Sequence, residues 1–568
     1  MFDNTLKLTK FMLAREKVTS TAWILGLVLF NAVIVVLLGS ALMPDAASRA
    51  EFMSIVENPA LLAMVGPLHP SAPDTMGALY VLMMLVFMGI GVAIMNVFLI
   101  VRHTRADEEL GRYEVLRSLP VGRLANVNAA MLTAVVVNVI LAVLSALSMW
   151  GAMALTDEPM GWGAALLWGA ALGALGLAFA GIAALFSQLS SNARGASSFS
   201  FALLGLFYFL RAGADMAPDE YGFLAYLSPF GLMSRTWVYI DNIWWPVLAI
   251  LGFAVVFTAL AYWLCGIRDI DQGIIPARPG KAHGGLLMKS AFGLNFRLLR
   301  TSIIVWIVVL FITGLAYSVV LEDIDTFVAG NEMYRNMLLG PSGLLDQIEV
   351  DAPIYVIIEQ MNAVVNAAGF TITQLFANMI GFMMAMIATV PVLMFILKAR
   401  AEEKAIRAEL IFATATSKTK YLAGFVAIAF VSAILIQAAQ ALGLYAMVPS
   451  VLDNPDELPL RFLLESVLVY VPAMWIMGGL TALLVGLFPR RAGWIWAYYG
   501  FTFFAMMYGR MLPDIAWLAN LTPMGWVPQL PMDTISWPVL AVKAVVGVAL
   551  AAAGLWLYSK RDINAITH

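Results

Sequence analysis

Roughly twelve stretches of this chain stay apolar for about 20 residues each, the length that carries an α-helix across a bilayer. No other feature restricts the fold as strongly. In hydrocarbon, backbone N–H and C=O groups must bond within the chain, so runs of this length cross as helices. Hydropathy places six spans at 21–43, 79–101, 125–153, 162–186, 196–212 and 244–266. Six more fall at 302–320, 372–396, 421–447, 462–487, 492–509 and 536–558. The 568 residues are 62% hydrophobic and only 12% charged, against about 25% charged in a soluble domain. That balance excludes a soluble enzyme, a nucleic-acid binder and a disordered chain. The expected fold is an all-α polytopic membrane protein of about twelve transmembrane helices. The first span is too long for the apolar core of a signal peptide and lacks a convincing cleavage site, so it reads as a membrane helix.

The net charge of −3 says little; the placement of charge says more. Lys and Arg concentrate in cytoplasmic loops of membrane proteins. Segment 102–123 holds Arg102, Arg105, Arg112, Arg117 and Arg123, and segment 397–420 holds Lys398, Arg400, Lys404, Arg407, Lys418 and Lys420. In a twelve-span topology these segments share one side with both termini. The opposite segments are acidic: Asp45, Glu51, Glu57 and Asp74 stand against Arg49 in 44–78, and eight acidic residues stand against Arg335 in 321–371. Both termini and the basic loops are therefore expected in the cytoplasm.

The chain also repeats itself. Arg105-Ala106-Asp107-Glu108 matches Arg400-Ala401-Glu402-Glu403 at an offset of 295. Leu227-Ser228-Pro229-Phe230-Gly231 matches Leu521-Thr522-Pro523-Met524-Gly525 at 294, and Arg268-Asp269-Ile270 matches Arg561-Asp562-Ile563 at 293. Matches in order at a nearly constant offset point to duplication. An even number of spans per half gives two parallel six-helix repeats. The expected halves are 1–267 and 296–568, joined by a cytoplasmic linker at 268–295 in which Pro276, Pro279, Gly280, Gly284 and Gly285 break regular structure.

Between spans two and three, apolar Leu110, Tyr113, Val115, Leu116 and Leu119 alternate with charge, which suits a short helix on the inner membrane surface, ended by Pro120. An acidic–x–Gly–x–x–Glu–x–Leu–x–x–x–Pro–x–x–Arg pattern runs through Glu109, Gly111, Glu114, Leu116, Pro120 and Arg123. This loop resembles that of the permeases of type-2 ABC exporters. The fused twelve-span form with its Arg-Asp-Ile ends is similar to exporter permeases for polyketide antibiotics of the tetronasin type, and the resemblance covers nearly the whole chain. It implies two loops that couple to a separate ATPase: Glu108, Glu109, Gly111, Glu114, Leu116, Pro120 and Arg123 in the first half, and Glu402, Glu403, Arg407 and Glu409 in the second. It further implies an interfacial elbow helix at Leu6–Lys17. Outer re-entrant segments would lie at Pro229, Phe230 and Gly231 and at Pro523, Met524 and Gly525, as gate candidates. Gly66-Pro67 and Gly340-Pro341 would sit in outer caps. The second loop departs from the pattern, with Ile406 at the Gly111 position and Ala415 at the Pro120 position, so unequal ATPase contacts are expected.

No G-x-x-x-x-G-K-[ST] phosphate loop is present, so this chain would hold no nucleotide itself. The resemblance places ATP and Mg on two copies of a partner ATPase subunit, and makes this chain the transport subunit rather than an enzyme, in a prokaryotic cell membrane. No H-E-x-x-H or G-x-S-x-G motif supplies catalytic residues. Cys265 stands alone, and the four histidines lack metal-ligand spacing, so no metal is expected. Spans rich in Met and Phe suit a hydrophobic or amphipathic small-molecule cargo, expelled by alternating access. Two alternatives differ in class: a proton-coupled secondary multidrug carrier, and a membrane sensor or scaffold paired with an ATPase. The first generally needs an acid or His at mid-membrane depth. No such residue is evident, and Lys543, Glu465, Arg211 and Arg510 lie near outer span ends where they are expected at the interface.

Overall fold

The computed structural model describes residues 2–39, 49, 53, 62, 64–71, 75–156, 161–216, 218–269, 272–276, 285, 290–318, 321, 324–329, 335, 338–339, 344–349, 352–452, 454–508 and 513–562. Among these every regular element is a helix. Gly340-Pro341, Arg510, Ile563 and the acidic residues Asp45, Glu51, Glu57 and Asp74 lie outside them. The chain divides into two compact units, 1–280 and 281–568, each with its own core.

In the first unit the spans are Thr5–Leu37, Met76–His103, Ala125–Met153, Trp162–Leu189, Ala193–Met216 and Trp245–Ile267. In the second they are Ala291–Ser318, Ile372–Lys404, Lys418–Val451, a broken Leu460–Leu468 and Val471–Leu487, Ile495–Tyr508, and Trp537–Lys560. Eleven described helices are long and apolar enough to cross a membrane. Ile495–Tyr508 is shorter and occupies the place expected for the eleventh span. The protein is therefore a multi-pass membrane protein of about twelve spans.

Local chemistry sets the helix starts. Thr75 accepts a hydrogen bond from the Ala78 amide, and Thr371 with Gln374 forms a capping box. Pro472 sits at the start of Val471–Leu487, where its missing N–H costs no helix bond, and this fits the break at Val469-Tyr470. One expectation is corrected. Leu6–Lys17 is not a separate elbow but the first turns of one helix, Thr5–Leu37. No Gly or Pro occurs between Thr5 and Leu25 to interrupt it. A further helix, Ile354–Ala367, lies in the acidic segment before span two of the second unit, burying Ile357, Met361 and Val365 at a spacing of four.

Burial separates central from peripheral spans. In the first unit the apolar window of span four is 78% buried and that of span one 22%. Span four therefore forms the middle, with Trp168, Leu172, Leu175 and Phe179 in the core. Small residues let backbones approach where the hydrophobic effect between helices is absent. In the second unit a Cβ added at Gly486 would stand 2.4 Å from the Gly554 carbonyl oxygen, and one at Gly554 would stand 2.5 Å from the Ala482 carbonyl carbon. Neither neighbour is a flexible side chain, so Gly554→Leu is expected to force spans four and six apart and give an aggregated peak in detergent gel filtration. Gly500→Ala, where a Cβ meets nothing within 4 Å, is expected to elute as wild type.

Candidate functional site

Span two of the first unit ends at His103, where Thr104 leaves helical geometry and returns its hydroxyl to the Ile100 carbonyl at 2.6 Å. Two short helices follow, Arg105–Glu109 and Arg112–Arg117, joined through Gly111 at φ 70°. The one short helix expected here is thus a bent pair, because Gly111 takes the left-handed conformation. In the second unit span two runs on to Lys404, Ile406 takes φ 63°, and a helix follows at Arg407–Phe412. The substitution of Ile for Gly therefore does not remove the turn. A β-branched residue in this region is strained by about 1–2 kcal/mol. Gly111→Ile, which copies the second unit into the first, is expected to lower stability by about that amount, read as a lower melting temperature.

Buried ion pairs fix both loops. Glu108 receives Arg105 at 2.8 Å and Arg268 at 2.7 Å. Its counterpart Glu403 receives Arg561 and the Tyr558 hydroxyl. Asp107 is held by Arg15 at 2.5 Å and Arg112 at 2.9 Å, and Glu402 by Lys398 at 2.8 Å and Arg407 at 2.6 Å. Arg123 donates to the Arg268 carbonyl at 2.7 Å, and its counterpart Lys418 donates to the Arg561 carbonyl at 2.7 Å. In each unit, then, the loop after span two is tied to the end of span six. The first residue of the repeated Arg-Asp-Ile motif supplies the cation on the buried carboxylate in both, a role its repetition alone did not disclose. Glu109 accepts from the Ala193 amide at 2.9 Å at the start of span five, and Pro120 accepts from the Asn4 amide side chain at 2.7 Å. The position of Glu109 is Lys404 in the second unit, a reversal of charge.

The two short helices present the same pattern outward. Tyr113 and Ala408 are buried, Leu116 and Ile411 half-buried, and Glu114 and Glu409 exposed. Val115 and Leu410 are 69% and 76% exposed. An exposed apolar side chain beside an exposed carboxylate on a rigidly tethered helix is a surface suited to a protein contact.

At the opposite end, Pro229, Phe230 and Gly231 begin a short helix, Pro229–Ser234, and are buried in their own unit. Phe230 packs on Phe179 with ring centres 5.5 Å apart. The Ser228 hydroxyl donates to the Phe207 carbonyl at 2.7 Å. A Cβ on Gly231 would stand 2.3 Å from the Ala225 carbonyl oxygen. Pro523, Met524 and Gly525 form the matching turn, with a Gly525 Cβ placed 2.0 Å from the Ala519 carbonyl oxygen. Both turns are wedged, so any movement there carries the whole turn. Arg211, near a span end, is fully buried in its unit: it meets Asp215 at 3.1 Å, and Arg235 meets the same carboxylate at 3.0 Å. The spacing of four between Arg211 and Asp215 was the available signal. Lys543 reaches the Trp526 carbonyl, and Glu465 pairs with the exposed Arg461 at 2.8 Å.

Comparison with known proteins places this geometry in a family. A family model described as the C-terminal domain of the multidrug efflux system permease Rv1217c matches residues 10–264, 288–367 and 352–559. Over 570 residues the chain is 30% identical to the multidrug efflux system permease protein Rv1217c of Mycobacterium tuberculosis (strain ATCC 25618 / H37Rv), covering 99% of this chain and 96% of that protein. With a match along nearly its whole length and a multi-pass helical fold, the chain belongs to the Rv1217c-type multidrug efflux system permease family.

Proposed function

We propose that the chain is the membrane-spanning subunit of an ATP-driven exporter that expels hydrophobic or amphipathic, antibiotic-like compounds by alternating access. The observation that carries this reading is the paired loop: two short helices, each turned by a left-handed residue and tied to span six by a buried carboxylate. Such a loop passes force from a docked partner to the helices. The partner is an ABC ATPase subunit in two copies, holding ATP and Mg. Glu109, Glu114 and Val115 in the first unit and Glu409 and Leu410 in the second form the docking surfaces. Orientation follows from charge: the loops and both termini face the cytoplasm of a prokaryotic cell. The turns at Pro229-Phe230-Gly231 and Pro523-Met524-Gly525 are outer gate elements. A polyketide of the tetronasin type is one cargo of the required chemistry.

The test is a pull-down of the tagged full-length chain from its native membrane, with mass spectrometry of co-purifying subunits. A stoichiometric ATPase supports the reading. A chain that purifies alone and still moves drug in a proteoliposome points to a secondary carrier. Among the described residues, the buried Asp215 gives that alternative a foothold. With two guanidinium groups on one carboxylate, however, the triad is suited to locking the re-entrant turn to span five. Asp215→Asn is therefore expected to lower stability while the folded variant keeps its ATP-driven efflux. Selective loss of proton-driven transport would favour the carrier.

A further inference from the structure

At the basic end of the first unit a cavity of about 460 Å³ opens between span one and the loop after span two. Its lining includes Phe11, Arg15, Arg102, Asp107, Leu110 and Arg112. Glu16 lies behind, bound to Arg102 at 2.8 Å and to His103 at 2.9 Å. Three guanidinium groups thus meet two carboxylates. Arg15 is spent on Asp107, which it grips with both terminal nitrogens at 2.5 and 3.0 Å. Arg102 and Arg112 keep part of their guanidinium open: they are 43% and 55% exposed, and Nη1 makes the contacts to Glu16, Thr19 and Asp107. Two exposed apolar side chains, Phe11 and Leu110, flank these cations.

A second depression continues along the same helix. Ala22, Trp23, Gly26, Leu27 and Phe30 line an apolar groove of about 420 Å³. A Cβ on Gly26 would meet nothing within 4 Å, so the groove floor is open. Phe11, Arg15, Thr19, Ala22, Gly26 and Phe30 recur at spacings of three and four and share one helix face. At 1.5 Å per residue, Ala22 to Phe30 lies about 10 to 22 Å from Arg15 along the axis. One leaflet of hydrocarbon is about 15 Å deep. A cationic cavity at the membrane surface, followed by an apolar groove of acyl-chain depth on one helix face, has the two-part form of a phospholipid.

We propose that the first unit holds one anionic phospholipid, its phosphate against Arg102 and Arg112 and an acyl chain in the groove over Gly26. Basic pockets at the cytoplasmic ends of spans bind anionic head groups in this way. The site belongs to the first unit alone, because the counterpart of Arg102 is Leu397. The inference needs only a membrane-spanning chain with this end in the inner leaflet, and stands apart from the ATPase reading. A lipid phosphate seated there draws on Arg112, which also holds Asp107, and so biases the loop that carries Glu114.

The test uses the full chain in mild detergent, titrated with phosphatidylglycerol or phosphatidylcholine while bound lipids are counted by native mass spectrometry. One tightly held phosphatidylglycerol per chain is expected, preferred about five-fold over phosphatidylcholine. Arg102→Leu is expected to remove that preference and Arg102→Lys to retain it. Gly26→Leu, on an exposed face, is expected to weaken retention of both lipids without altering the folded elution profile. Equal retention of the two lipids overturns the proposal. So does displacement by equimolar inorganic phosphate together with indifference to Gly26→Leu, which would make the site one for a free anion. Unchanged lipid counts in Arg102→Leu with a loss of co-purifying protein also overturn it, by assigning the cavity to an acidic side chain of a partner.

Discussion

Replacing Arg561 by alanine is expected to cost about 3–5 kcal/mol of stability, the usual penalty for removing one member of a buried ion pair, and to take drug export to background. Its partner Glu403 has a side chain only 1% exposed. No second cation reaches that carboxylate among the described residues, because Arg400, the counterpart of Arg105, donates instead to the Arg490 carbonyl. The Tyr558 hydroxyl is all that would remain. Arg268→Ala in the first unit is expected to cost about half as much, since Arg105 stays on Glu108 at 2.8 Å. Thermal unfolding in detergent separates the two, and equal losses would overturn the assignment of Glu403 as singly paired. The double variant Arg561→Met with Glu403→Leu should recover most of the lost stability but not transport. Two apolar groups leave no unpaired buried charge, while the tie between loop and span six is still broken.

The same pairs show what could be read from the chain and what could not. Spans were legible because each is a long apolar run, and a bilayer admits few ways to satisfy its backbone. Asp107, Glu108, Glu402 and Glu403 were legible as a repeated acidic motif. Their partners were not, because Glu108 and Arg268 are 160 residues apart in sequence and only the folded unit joins them. Repetition flagged Arg268 and Arg561 without giving them a task. Ile406 read as a departure from the first loop, yet it keeps the left-handed turn. Its amide donates to the Glu403 carbonyl at 2.8 Å and the Glu409 amide to its carbonyl at 3.4 Å, so the bonds around the turn outweigh the side chain's preference. Ile354–Ala367, at 14 residues, is too short to stand out as a spanning apolar run, although Ile357, Met361 and Val365 at a spacing of four carry the signal of a shorter amphipathic helix. Arg211 shows the opposite limit. Its place near a span end gave its depth but not its burial, and Asp215 and Arg235 hold it fully inside the unit.

Reversing the charge on both exposed helices, with Glu114→Arg and Glu409→Arg, is expected to cut energised efflux at least ten-fold while the chain inserts and melts as wild type. Both carboxylates are exposed, and the ion pairs that hold the loops fall on Asp107, Glu108, Glu402 and Glu403 instead. Exposed substitutions of this kind change folding stability by about 0.5 kcal/mol or less. Effects at a docking surface are larger. An exposed anchor lost from the centre of an interface typically costs about 2 kcal/mol or more, and a like charge placed against a complementary partner adds to that. Val115 and Leu410 sit next to these carboxylates in sequence and are exposed, so they would supply the apolar part of the proposed docking surface. The two single variants should differ, because Lys404 stands where the first loop has Glu109, giving the surfaces opposite charge on one flank. Glu409→Arg adds a cation next to an existing one. It is therefore expected to be the more damaging if the partner's two docking grooves are alike, and the less damaging if the second groove is acidic. Efflux assays paired with co-purification of the proposed ATPase decide between these, and normal efflux by the double variant would remove both loops from the proposed coupling path.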